Sequence, residues 1–197
     1  MKENIIIRKA VVEDAPLLAA AVTMAIGGDD VALQYCGEEH ITILTEIARS
    51  EATQYSWQNA LIAEMEGQAA GAIIGYDGGQ LEQLRSHTLG IIKTHTGSAP
   101  AMPDETKDGE YYLDTLAVIP EYRGHGIAKR LIKAFCDKAF AQGYKHVDLL
   151  VDYDNPLAER IYTSIGFTYV DTRLFLGIPM KHLQLTEETN ELGKSPQ

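Results

Sequence analysis

Leu116-Ala117-Val118-Ile119-Pro120-Glu121-Tyr122-Arg123-Gly124-His125-Gly126-Ile127-Ala128 is the stretch whose reading decides the fold. Its apolar opening is strand-like, and Pro120 ends it. Beyond the two glycines, Ile127, Leu131 and Phe135 recur every four residues with Ala128 and Ile132 beside them, which predicts a helix docked by one face. The first amides of a helix have no partner within it, and glycine at 124 and 126 lets an anion come close, so strand, turn and helix form a cradle for a pyrophosphate. Other glycine loops fit badly: a dinucleotide fingerprint would want a third glycine where Lys129 stands, and a P-loop would want Gly-Lys-Ser/Thr.

Downstream, residues 147–151 read as a buried strand and 157–165 as a short helix. Asn155 suits its N-cap, Pro156 its first position and Gly166 its close in a left-handed conformation. Leu157, Ala158, Ile161, Tyr162 and Ile165 share one face, so Tyr162 points inward with a hydroxyl that needs a partner. Segments 167–170 and 180–185 supply two more strands around a connection at 171–179, followed by a polar tail, 186–197.

Upstream, residues 5–8 form a first strand. A helix with Asp14 as its cap then runs toward Gly27-Gly28, and a second covers 40–49, where Ile43, Leu44 and Ile47 share a face. Short apolar runs at 60–65 and 69–76 flank Glu66-Gly67-Gln68, a hairpin pattern. A helix at 81–92 leads into a loop at 94–108 that is rich in Thr, Pro, Gly and charge. The series describes an α/β (α+β) domain, residues 1–185, with a mixed and mostly antiparallel sheet of about seven strands, one parallel pair and helices on both faces.

Seventeen Lys and Arg against 28 Asp and Glu give 197 residues a formal charge of −11, which repels nucleic-acid backbones and anionic membranes; neither is an expected partner. Two distant cysteines without ligand spacing fit a reducing, cytoplasmic setting, and Cys136 falls on the apolar stripe of its helix. No apolar run approaches the ~20 residues of a membrane span. The six histidines show no His-Glu-x-x-His pattern or i, i+4 pairing, so no metal is expected.

In this order and spacing the two segments resemble the GNAT superfamily of acyl-CoA-dependent N-acetyltransferases. Arg123, Gly126 and Ala128 match its Arg/Gln-x-x-Gly-x-Gly/Ala motif, and Asn155, Ala158, Tyr162, Gly166 and Phe167 match its downstream helix. The motifs cover 111–167, while the connection at 77–109 is longer than usual there. The resemblance implies a GNAT-like sheet whose parallel pair splays at the CoA site. It further implies that acetyl-CoA is the cosubstrate, with its pyrophosphate on the amides of Arg123, Gly124, His125, Gly126, Ile127, Ala128 and Lys129. The pantetheine arm would pair with the backbone around Ala117 and Val118 and lie along Asn155 and Ala158. Tyr162 would protonate the departing thiolate, and the Val118 amide would receive the oxyanion.

No nucleophile with an adjacent base is apparent, so direct attack by an amine is the expected chemistry. Asp114 is the candidate base, because it precedes the bulge-prone segment 116–118 and alternation puts it on the face of Leu116 and Val118; as an ordinary carboxylate it would need a raised pKa or a bridging water. Where such folds build acceptor pockets stand Tyr35, Glu38, Trp57 and Asn59. The acceptor is read as an amine-bearing small molecule or a peptide terminus, and the chain as a monomer or homodimer. Open alternatives are another acyl donor or a hydroxyl acceptor, an acyl-CoA-binding module without turnover, and dinucleotide binding at the glycine turn.

Overall fold

A computed structural model describes residues 4–188, so most of the polar tail expected at 186–197 lies outside the described residues. One seven-stranded sheet runs in the order β1-β2-β3-β4-β5-β7-β6. Its strands are β1 (Ile5–Lys9), β2 (Ala60–Met65), β3 (Gln68–Asp77), β4 (Tyr111–Val118), β5 (His146–Asp152), β6 (Thr168–Phe175) and β7 (Ile178–Thr186). All neighbours are antiparallel except β4 and β5.

Two cores sit on opposite faces of the sheet. On one, α5 (Ile127–Ala141) buries Ile127, Leu131, Ile132, Phe135, Cys136 and Ala139, with α6 (Pro156–Thr163) beside it. On the other, α1 (Ala15–Ala25) and α3 (His40–Arg49) bury Leu18, Val22, Ile43, Leu44 and Ile47 against Ile62, Ala72 and Ile74. Gly75 sets how closely α5 docks: a Cβ there would collide with the Phe135 ring and the Tyr112 carbonyl. Among the described residues no single helix is long and apolar enough to cross a membrane.

Several local expectations change. Asp14 does not cap α1. Its carboxylate accepts from the Val11 amide at 2.8 Å and pairs with Arg8 at 2.7 Å, tying the end of β1 to a 3-10 turn, Val12–Asp14, ahead of the helix. A further helix, α2 (Asp29–Cys36), occupies a stretch with no helical signal; only Ala32 and Cys36 face inward, too narrow a stripe to stand out. The helix expected at 81–92 continues as α4 (Leu81–Thr96) and stops at Gly97, whose φ of 79° is left-handed. The connection expected at 171–179 is almost wholly strand, because β6 and β7 turn on Leu176 and Gly177, with φ of 51° and 79°. Leu157 is 68% exposed and leaves the buried face of α6 to Ala158, Ile161 and Tyr162, with Ile165 packing just beyond the end of the helix.

Candidate functional site

The parallel pair is joined only at Tyr111–Val147 and Tyr112–Asp148; beyond these two pairs β4 and β5 diverge. The bond from Ile119 N to Ala70 O, 2.9 Å, sets the phase of the β3–β4 ladder and makes Gly71–Val118 a non-hydrogen-bonded pair. The Val118 amide and carbonyl therefore point away from β3, into the gap. The carbonyl accepts from Arg123 Nε at 3.1 Å, which leaves the amide facing open space. Ala117 is turned the other way, its backbone toward Ala72 and its side chain in the core beneath α1, so the open backbone of this strand belongs to Val118 rather than Ala117.

At the mouth of the gap lies the glycine turn. Gly124 and Gly126 have φ of 85° and 77°, and a Cβ built on either meets nothing within 4 Å. Backbone conformation, not crowding, demands glycine here, and the surface left beside the turn is open. Helix α5 starts at Ile127, so the amides of Ile127, Ala128 and Lys129 have no carbonyl one turn back inside the helix. Arg123, His125, Lys129 and Arg130 are exposed around them. Converging amides, a helix N-terminus and basic side chains suit an anionic diphosphate.

Helix α6 reaches the gap from the other strand. Asn155 Oδ1 accepts from the Ala158 amide at 3.1 Å, as an N-cap should, and Phe167 N donates back to Tyr162 O at 3.2 Å across Gly166, whose φ is 115°. Tyr162 is 8% exposed and packs edge-on against Phe167. Among the described residues its hydroxyl makes no hydrogen bond, and burial pushes the phenol above its ordinary value.

Asp114 is placed by a β-bulge. The register passes from Ile74–Thr115 to Gly75–Leu113 and leaves Asp114 unpaired on β4. The bulge breaks the alternation, so Leu116 and Val118 pack on the α5 side while the Asp114 carboxylate turns to the opposite face. There its Oδ2 accepts from the Tyr76 hydroxyl at 2.9 Å and its Oδ1 from the Thr115 hydroxyl at 2.9 Å. Burial, then the nearby Glu105 charge, pushes Asp114 up to about 7.

The residues gathered about Asp114 left no trace in the sequence. Tyr76 Oη also lies 3.0 Å from Glu105 Oε1, Gln54 Nε2 reaches both at 3.0 Å, and Arg85 pairs with Glu105 and with Asp104. Glu105, 5% exposed, comes from the polar connection that no periodicity could place. Asn59 Nδ2 braces the Thr53 and Gln54 carbonyls, and Trp57 packs on the α1 core. Glu38 is exposed. Tyr35 lies near Tyr55, within the field of Asp114 and Glu105.

A separate charged group sits at the closed end of the parallel pair, beside a cavity of about 290 Å³. Glu110, Asp148 and His182 approach within 4.8 Å of one another there, a grouping that could hold a metal ion. Most of their atoms already have partners, and the exception is the buried Asp148 Oδ2. Arg173 grips Glu110 at 2.6 and 3.1 Å, His182 meets Asp148 at 2.7 Å and Asp171 at 3.1 Å, and Gln184 donates to Asp148 at 2.8 Å. An arginine fork inside the group offsets the negative charge that a cation would need. Both cysteines are buried, and burial pushes the Cys36 thiol up to about 12.

Residues 33–167 match the acetyltransferase (GNAT) family. An acetyltransferase of Sodalis glossinidius (strain morsitans) is 32% identical over 118 residues, which is 59% of this chain and 62% of that protein. A crystal structure of an acetyltransferase superposes with a TM-score of 0.78 at 30% identity, over 92% of this chain and 98% of the other. Aminoglycoside acetyltransferase AAC(6')-Ib, crystallised with coenzyme A and kanamycin, superposes with a TM-score of 0.64 at 16% identity, over 98% and 100% of the two chains, a likeness of fold.

Proposed function

The chain belongs to the acetyltransferase (GNAT) family, and from that premise we propose that residues 1–185 act as one catalytic domain that moves an acetyl group from acetyl-CoA to a primary amine. The observation that carries this is the Val118 amide, turned by the ladder phase into a gap whose mouth is the glycine turn. The gap supplies a backbone edge for the amide-bearing pantetheine arm, and the turn supplies donors for the diphosphate. AAC(6')-Ib in complex with coenzyme A and kanamycin supports a CoA thioester as donor and an amine-bearing small molecule as acceptor. The acidic chain, at −11, favours a cationic acceptor and disfavours nucleic acid.

Acetyl-CoA supplies the activated acetyl group. Asp114 takes a proton from the acceptor ammonium, directly or through one water, and the freed nitrogen attacks the thioester carbonyl. The new C–N bond forms as the C–S bond breaks, the Val118 amide stabilises the oxygen on which charge collects, Tyr162 gives its proton to the leaving thiolate, and the second proton shed by the nitrogen as it becomes an amide restores the phenol through solvent. For an amine of pKa ~10.4, deprotonation at pH 7 costs about 4.6 kcal/mol. An Asp114 that titrates near 7 rather than 3.8 is closer to that amine as a proton acceptor by about 4 kcal/mol. Burial raises the Tyr162 phenol, and a thiolate brought into the same dry site is raised by the same cause, so the mismatch of about 2 kcal/mol between phenol and thiol in water is not enlarged in proportion.

Titration calorimetry tests the reading, with acetyl-CoA, CoA, NAD and ATP against the wild type and Gly126→Trp, whose indole fills the open mouth. Selective binding of the CoA compounds, lost in the variant, is expected; no CoA binding by the wild type would sink the assignment. Release of CoA thiol and a mass gain on a panel of amines then tests transfer. Tight acetyl-CoA binding with no transfer to any amine would point instead to an acyl-CoA-binding module.

A further inference from the structure

The Tyr76 hydroxyl has one proton and lies within hydrogen-bond distance of two carboxylates, Asp114 at 2.9 Å and Glu105 at 3.0 Å. When Asp114 is ionised, Tyr76 can donate to it, while Glu105 keeps the Gln54 amide and the Arg85 guanidinium. When Asp114 carries a proton, the acid can donate to the Tyr76 oxygen, and the phenolic proton turns to Glu105. Both states leave the group fully hydrogen-bonded, which a carboxylate that gains and loses a proton in a buried place requires. Glu105 is itself tightly held. Besides Arg85 and Gln54, its carbonyl accepts from Arg173 at 3.1 Å, and Arg85 also binds the Met102 and Pro103 carbonyls.

We propose that Glu105, fixed by Arg85 and Gln54, is a positioning residue that sets the protonation of Asp114 through the Tyr76 hydroxyl. The long connection of residues 97–110 would thereby serve the chemistry instead of merely bridging α4 and β4. The proposal rests on the reading of Asp114 as the base. The ionisable groups that face Asp114 are Tyr76 from β3, Tyr112 from β4, Tyr35 from α2, Tyr55 from the stretch ahead of β2, Arg85 from α4 and Glu105. Glu105 opposes ionisation of Asp114, whereas the Tyr76 hydrogen bond and Arg85 favour it.

Carbon-13 NMR titration of the side-chain carboxyls tests this on the ligand-free protein, with the Asp114 signal assigned by its loss in Asp114→Asn. Glu105→Gln keeps the shape and removes the charge, and should lower the Asp114 midpoint by about one unit. Tyr76→Phe removes a donor to the ionised form and should raise it. Opposite shifts are not produced by a general loosening of the site. Midpoints within about 0.3 unit of wild type in both variants would overturn the proposal. If Glu105→Gln does not fold, an unchanged or lowered midpoint in Tyr76→Phe does so alone. Because no substrate is used, the failure of the base assignment is seen separately, as unimpaired acetyl transfer by Asp114→Asn.

Discussion

Burial of Asp114 acts with one sign on stability and the other on turnover. The folded chain holds its Asp114 proton up to about pH 7, while the unfolded chain releases it near the ordinary value of 3.8. The native state thus binds more protons through that window, and stability falls as pH rises across it. Asp114→Asn should lose this dependence, so its thermal midpoint should rise relative to wild type between about pH 4 and pH 7. Acetyl transfer by the wild type should climb through pH 7 as the base form appears. In the variant it should drop by about 10²-fold or more with acetyl-CoA affinity kept, as steady-state kinetics would register. Tyr162→Phe separates the same two properties. Its hydroxyl has no partner among the described residues, so the unfolding midpoint should hardly move, while kcat should fall by about 10²-fold. A kcat at the wild-type level would remove Tyr162 from the proton path.

At the scale of elements, α5 owes its place to an absence of side chain on β3. Gly75→Ala would drive a methyl against the Tyr112 carbonyl and the Phe135 ring, and should cost about 2 kcal/mol or more in urea unfolding. Helix α5 was readable in advance because Ile127, Leu131 and Phe135 repeat at helical spacing, and α6 because Asn155, Pro156 and Gly166 mark its ends. The hairpin β2–β3 was equally plain, closing on Glu66 and Gly67 with φ of 53° and 78°. Helix α2 was hidden by its two-residue inner stripe, and the reach of β6 and β7 by a turn that puts Leu176 at positive φ, where leucine is no signal. The bulge falls at Asp114 itself, ahead of the bulge-prone segment 116–118 read from the sequence. A one-residue slip in the β3–β4 register moves the carboxylate to the other face, and alternation read from the sequence cannot register a residue that the ladder skips.

For the whole molecule, the anion cradle and the Tyr162 helix lie within one local stretch of chain, and so were legible together. The carboxylate group draws Gln54, Tyr76, Arg85, Glu105 and Asp114 from five separate segments, a convergence that only the folded chain displays. The same sheet that brings them together is joined across its middle by two backbone pairs, although the core under α5 runs beneath both halves. Amides of β5, β7 and β6 are therefore expected to exchange with deuterium faster than those of β2 and β3, and the difference should shrink when acetyl-CoA is added. Equal protection in the two halves without ligand would show that side-chain packing alone welds them. A cosubstrate lodged between β4 and β5 completes a broken lattice, so its arrival and departure in each cycle would tighten and relax the far hairpin as well as supply the acyl group.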